Sequence, residues 1–197
     1  MSGINFDTTD LWSCAVEVFR RQGAEVVLGE DNLIMTRRPA DSRKLPFVVI
    51  VEGLPNLLHE LIHLLFAGGP ADDHGIDYHQ IPYDLTRPAH RQVLWEELSC
   101  CVISSAYLPP EKRDPWFAEQ IGIQGVFYGF DDDVEEFYER VETVAREYAQ
   151  DLQMVTQLGY RRVDDALAQV GASRSAREAQ IESFADYWGR FSSREVA

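Results

Sequence analysis

His59-Glu60-Leu61-Ile62-His63 is the stretch whose reading decides the fold. It lies in a run over 53–66 that is apolar almost all round, through Leu54, Leu57, Leu58, Leu61, Ile62, Leu64, Leu65 and Phe66, and that is closed by Gly68-Gly69-Pro70. The pattern and the stop predict a buried helix. His59 and His63 are then one turn apart on one face. Two histidines and a glutamate inside such a helix are costly without partners. A tetrahedral zinc ion takes both imidazoles as ligands and leaves Glu60 beside an open coordination position. There Glu60 accepts a proton from an attacking water and later passes it to a leaving amine.

Elements of both kinds are expected around this helix, which makes the fold class α+β. Residues 9–23 predict an amphipathic helix with Leu11, Trp12, Ala15, Val16 and Phe19 on one face, capped by Asp7, Thr8 or Thr9 and stopped by Gly23. Residues 24–28, the turn Gly29-Glu30-Asp31-Asn32 and residues 33–36 carry a hairpin signature. The unbroken apolar run 46–51 predicts a third strand buried on both faces. Residues 67–86 hold no sustained period and predict a loop, and a loop of that length is commonly functional.

A helix is expected over 88–107, opened by Pro88 and stopped by Pro109-Pro110, and a short one over 114–120. A long helix over 131–158 begins with Asp131-Asp132-Asp133 and is broken by Gly159, with further helices near 161–170 and 174–190. The domain organisation expected is a zinc-binding domain over 1–125 and a helical C-terminal extension over 126–197 packed on it. The stripe through Val134, Phe137, Tyr138, Val141, Val144, Ala145 and Tyr148 is a packing surface. The last helix, with Ile181, Phe184, Ala185, Trp188 and Phe191, is core, a docking element or the seam of a homodimer.

A zinc site needs a third protein ligand. Glu96, Glu97, His74, His79 and His90 are the candidates, with several aspartates. Glu96 and Glu97 lie beside the apolar stripe Leu94, Leu98, Cys101, Val102 and Ser105 of the helix that follows the loop. One of the two faces inward and the other is solvated. In the loop, Tyr83 or His79 is placed to stabilise an oxyanion, unless Ile76, Tyr78, Ile81 and Tyr83 only pin the loop down.

His59-Glu60-Leu61-Ile62-His63, then a loop, then Glu96-Glu97-Leu98-Ser99-Cys100-Cys101 through Leu108-Pro109-Pro110-Glu111 resembles the ImmA/IrrE-type metallopeptidases. Those show HExxH followed by a helix with a ligand glutamate, small residues and an aliphatic-proline ending. The resemblance covers about residues 46–111. It implies a zincin-like α+β metallopeptidase domain with a small β-sheet, zinc as cofactor and a peptide or protein substrate. Laying Leu108-Pro109-Pro110-Glu111 on the family's ending implies Glu96 as third ligand; shifting by one residue implies Glu97. Ser99-Cys100 stand where the family usually has Ala-Asn.

Composition bounds what else the chain does. The 197 residues carry a net charge of −15, with 45% hydrophobic and 11% aromatic residues. An acidic chain without a basic patch argues against binding a phosphate backbone, so no nucleic-acid partner is expected. No stretch approaches the roughly 20 apolar residues of a membrane span, and Met1–Asp10 shows no basic segment followed by an apolar run. Cys14, Cys100 and Cys101 are an odd count without framework spacing, which fits the cytoplasm, and the adjacent pair reads as small core side chains.

The function expected is zinc-dependent hydrolysis of an amide, most simply a peptide bond. A rival of another class is a non-catalytic, zincin-derived protein-binding module stabilised by zinc. A third reading is a toxin or modifying enzyme acting on a non-peptide amide.

Overall fold

A computed structural model describes residues 8–29, 33–37, 46–70, 84–130 and 132–195. They form a predominantly helical α+β protein that divides into two units, Met1–Gly75 with Tyr160–Ala179, and Ile76–Gly159 with Gln180–Ala197. The boundary expected near 125 falls inside the second unit.

The first unit opens with α1 (Thr8–Arg21), whose buried face is Leu11, Ala15, Val18 and Phe19. Trp12 and Val16, expected on that face, are only half-buried at its margin. Strands β1 (Ala24–Leu28), β2 (Leu33–Arg37) and β3 (Phe47–Val51) follow and form one sheet in the order β1-β3-β2. The expected hairpin is therefore corrected, because β1 and β2 do not pair with each other. β1 pairs with β3 in parallel, from Ala24 opposite Phe47 to Leu28 opposite Val51, and β2 pairs with β3 antiparallel through Leu33 opposite Ile50 and Arg37 opposite Phe47.

The physical reason lies in Phe47-Val-Val-Ile-Val51. The most apolar strand takes the centre, where both its edges are bonded and one face, Phe47, Val49 and Val51, is buried, while Val48 and Ile50 are half-buried. Gly29 extends the β1 ladder by donating to the Val51 carbonyl at 3.1 Å. A Cβ on Gly29 would stand 2.5 Å from Ile50 Cγ2, so any larger residue there forces the Ile50 side chain to shift.

β3 feeds α2 (Leu54–Ala67) through Glu52 and Gly53 alone. Pro55 stands in the first turn of α2, where its missing N–H costs nothing. Gly68 ends the helix in the left-handed region, at φ 77°, and its N–H bonds the Leu64 carbonyl at 3.0 Å. Leu57, Leu58, Leu61, Ile62 and Leu64 are buried, as the apolar run required. The division between units passes through α6 (Ala149–Gln169), whose residues from Tyr160 onward belong here with α7 (Arg174–Arg177). Ser173 caps α7 through Ala176 N–H at 3.2 Å and donates from Oγ to Asp10 of α1 at 2.9 Å.

The second unit holds α3 (Pro88–Ala106), α4 (Pro110–Phe127), α5 (Val134–Glu147), the first half of α6, and α8 (Phe184–Glu195). Its core joins Leu94, Leu98 and Val102 of α3, Phe117 and Ile121 of α4, Phe137 and Val141 of α5, and Tyr187, Trp188 and Phe191 of α8. Of the stripe expected on α5, Phe137, Val141 and Val144 are core and Tyr138, Ala145 and Tyr148 pack against it, while Val134 is exposed. Asp133 caps that helix, accepting from Glu136 N–H at 3.0 Å.

Three helix bounds are corrected. The short helix expected over 114–120 is α4, 18 residues long, because Pro110 fits its first position and Pro115 is tolerated further along. The helix expected over 131–158 breaks at Tyr148 (φ −117°, ψ 13°), and Gly159 is buried inside α6 instead of ending a helix. At the break, the Tyr148 ring packs 5.5 Å from Trp95, so tertiary packing places the kink where no sequence breaker stands. The helix expected over 174–190 splits into α7 and α8, because Ser183 starts a new one. Ser183 Oγ donates to Asp186 at 2.6 Å and accepts from its N–H at 3.1 Å, a reciprocal cap.

No helix among the described residues is long and apolar enough to cross a membrane. All three cysteines, Cys14, Cys100 and Cys101, are buried.

Candidate metal centre

α2 fixes two of the predicted ligands by its backbone alone. His59 and His63 occupy successive turns of one face, with ring centroids 4.9 Å apart and planes at 62°. Their Nε2 atoms are 3.1 Å apart. Two nitrogens each about 2.0–2.1 Å from a tetrahedral ion lie roughly 3.3 Å from one another, so the pair has the spacing of two ligands of one zinc ion. In the neutral pair the same distance holds one N–H···N bond. His59 is 7% exposed, while His63 is half-buried. Glu60 is half-buried on the same helix.

In the second unit, α3 separates the two glutamates that the sequence left open. Glu96 is half-buried and accepts from Gln92 Nε2 at 3.1 Å, one turn back. Glu97 is 3% exposed and accepts from Gln124 Nε2 of α4 at 2.5 Å. The inward carboxylate of the pair is Glu97. Its oxygen and Cys101 Sγ, one turn on, lie within 4.8 Å. Burial first, and the Glu97 carboxylate second, push the Cys101 thiol well above its ordinary range, so it is neutral here.

The groups with the chemistry to hold a metal ion are, among the described residues, His59, His63, Glu97, Cys100 and Cys101. The first two stand on α2 in the first unit and the other three on α3 in the second. Sequence reasoning set the cysteines aside as core side chains. The signal that marks Cys101 as a donor is its spacing of one turn from Glu97, which puts both on one face.

His90 sits half-buried in the first turn of α3. The predicted oxyanion-stabilising residues Tyr83 and His79, and the candidate ligand His74, lie outside the described residues.

No family model, no curated protein and no solved structure matches the chain. The functional reading accordingly stands on the residues and their geometry.

Proposed function

We propose that the chain is a zinc-dependent hydrolase of the HExxH type, a zincin-like metallopeptidase that cleaves a peptide bond. The observation that carries this reading is the 3.1 Å separation of the His59 and His63 Nε2 atoms on one face of a buried helix, with Glu60 between them in sequence. His59 and His63 hold the metal through Nε2, and a third protein ligand completes the site, for which the sequence offers Glu96 and Glu97. When bound, zinc contributes Lewis acidity, which acidifies water and polarises a carbonyl. Glu60 takes the proton of the attacking water and delivers it to the amine that leaves. The apolar side chains flanking the two histidines on α2 bury His59 and half-bury His63.

Of these two, Glu97 is buried and Glu96 is half-buried and bonded to Gln92, so the buried carboxylate is the one that gains more from a cation. The test is hydrolysis of a peptide library by the zinc-loaded chain. Glu60→Gln is expected to abolish turnover while zinc stays bound. Loss of zinc in that variant would make Glu60 structural.

A second reading is favoured by the buried thiols. Cys101 shares a helix face with Glu97, and a fourth protein donor closes a zinc shell and leaves no open position. The chain would then be a non-catalytic binding module stabilised by zinc. Stoichiometric zinc that is lost in Cys101→Ser, with no peptide of the library cleaved, selects this reading over the first.

A further inference from the structure

The C-terminal ends of α1 and α2 and the second half of α6 enclose a cavity of about 240 Å³, and every residue lining it belongs to the first unit. None of the candidate metal ligands lines it. Sites for drug-sized ligands run to roughly 300–1,000 Å³, so the occupant of this one is smaller. α6 presents Arg162, Asp165, Ala166 and Gln169 to the cavity at spacings of three, four and seven residues, which is one helix face. Three chemistries meet there. Arg21 and Arg162 are a cationic pair, Asp165 is a carboxylate, and Val18, Leu65 and Val170 are apolar.

Both guanidiniums are fixed by bonds that leave donors over. Arg21 donates from Nε to Glu17 at 2.8 Å and from Nη1 to the Gln169 carbonyl at 3.0 Å, which leaves Nη2. Arg162 donates from Nη1 to the Leu65 carbonyl at 3.0 Å and lies over the Phe66 ring, which leaves Nε and Nη2. Among the described residues, neither these nitrogens nor the Asp165 carboxylate has a hydrogen-bond or ion-pair partner. An arginine already ordered loses less side-chain freedom on binding, and its planar fork matches a carboxylate.

A simple anion would suit the arginines and be repelled by Asp165. A simple cation would meet two like charges. A neutral aliphatic molecule would leave all three charges unmatched. A carboxylate, an ammonium and a short aliphatic chain in one small molecule match every group. We infer that the cavity binds a free aliphatic α-amino acid, its carboxylate on Arg21 and Arg162, its ammonium on Asp165 and its side chain against Val18, Leu65 and Val170. Binding there requires neither zinc nor hydrolysis.

The experiment follows the amide proton–nitrogen correlation spectrum of the full chain during titration with L-leucine. Three probes each lack one group: isocaproate the ammonium, isoamylamine the carboxylate, and glycine the aliphatic chain. Leucine is expected to give saturable shifts confined to α1, the C-terminal end of α2 and the second half of α6. Each probe is expected to bind about tenfold more weakly or worse. Arg21→Gln and Asp165→Asn, both at exposed positions, are expected to keep the circular dichroism spectrum and to weaken leucine binding by about tenfold. Asp165→Asn is also expected to erase the preference for leucine over isocaproate.

The absence of saturable shifts with leucine overturns the inference. So do shifts that saturate elsewhere in the chain, or wild-type affinity in both variants. Isocaproate or inorganic phosphate binding as tightly as leucine overturns it too, since the site would then select an anion alone.

Discussion

Arg162 donates from Nη1 to the carbonyl of Leu65 at 3.0 Å and to that of Phe66 at 3.4 Å, and its guanidinium lies 5.7 Å over the Phe66 ring. The second half of α6 thereby caps the C-terminal end of the helix that carries His59 and His63. The last carbonyls of a helix have no partner within it and form the negative end of its dipole, so a cation there is favourable. Arg162→Met is expected to lower stability by about 0.5–1 kcal/mol, the small value reflecting solvent exposure. Urea unfolding measures it. A midpoint identical to the wild type would show that the cap contributes nothing to α2.

The Tyr187 hydroxyl is buried and has no hydrogen-bond partner among the described residues. Burial pushes its pKa up to about 12. Leaving a buried donor unmatched costs about 1–3 kcal/mol, so Tyr187→Phe, which keeps the ring stacked 4.9 Å from Phe117, is expected to stabilise the second unit by about 1 kcal/mol. Thermal unfolding reads this as a rise in Tm. A clear fall in Tm would mean that the hydroxyl is satisfied.

Acid stability follows from carboxylates held below their ordinary range. The side-chain bonds from Arg20, then Arg21, hold Glu17 down to about 2 from 4.5. The Ser173 hydroxyl lowers Asp10, and the Ser183 hydroxyl lowers Asp186. Each group is lower in the folded than in the unfolded chain. Its contribution is therefore present above the unfolded pKa and is lost as the pH falls through the folded one. For Glu17 that window runs from 4.5 down to about 2. The chain is expected to lose stability progressively through this range, and Ser183→Ala, which removes a helix cap worth about 1 kcal/mol at neutral pH, is expected to shorten the acid-induced loss. Urea midpoints at pH 7 and pH 3 measure both effects. An equal acid-induced loss in Ser183→Ala and the wild type would remove Asp186 from the account.

The elements around the histidines were legible because their signals are local. The apolar period over 53–66 with Gly68 after it, the proline pair at Pro109-Pro110 and the aspartates before α5 gave bounds close to those observed. What stayed hidden depends on contacts distant in sequence. Strand pairing is one case: adjacency suggested a hairpin, yet β3 lies between β1 and β2. The break at Tyr148 is another, since a ring packed on Trp95 leaves no mark in a local pattern. Of the site, the His59–His63 pair follows from helix periodicity alone. The choice between Glu96 and Glu97 does not, because neighbours on a helix are indistinguishable until the packing of α3 against α4 buries one of them beside Gln124.

That choice has its own test. Glu96→Gln is expected to bind zinc as the wild type does, because Glu96 is half-buried and bonded to Gln92. Glu97→Gln is expected to weaken binding by a factor of 10 or more, since a neutral amide is a poor substitute for a carboxylate ligand. The reverse order of affinities, read by chelator competition, would move the ligand by one residue.

Zinc content of the purified full chain tests the central claim most directly, measured by elemental analysis after dialysis against zinc and without exposure to chelator. One zinc ion per wild-type chain is expected, with none retained in His59→Ala or His63→Ala, each still folded by circular dichroism. A folded wild-type chain without stoichiometric zinc, or one whose zinc survives the loss of both imidazoles, would contradict it.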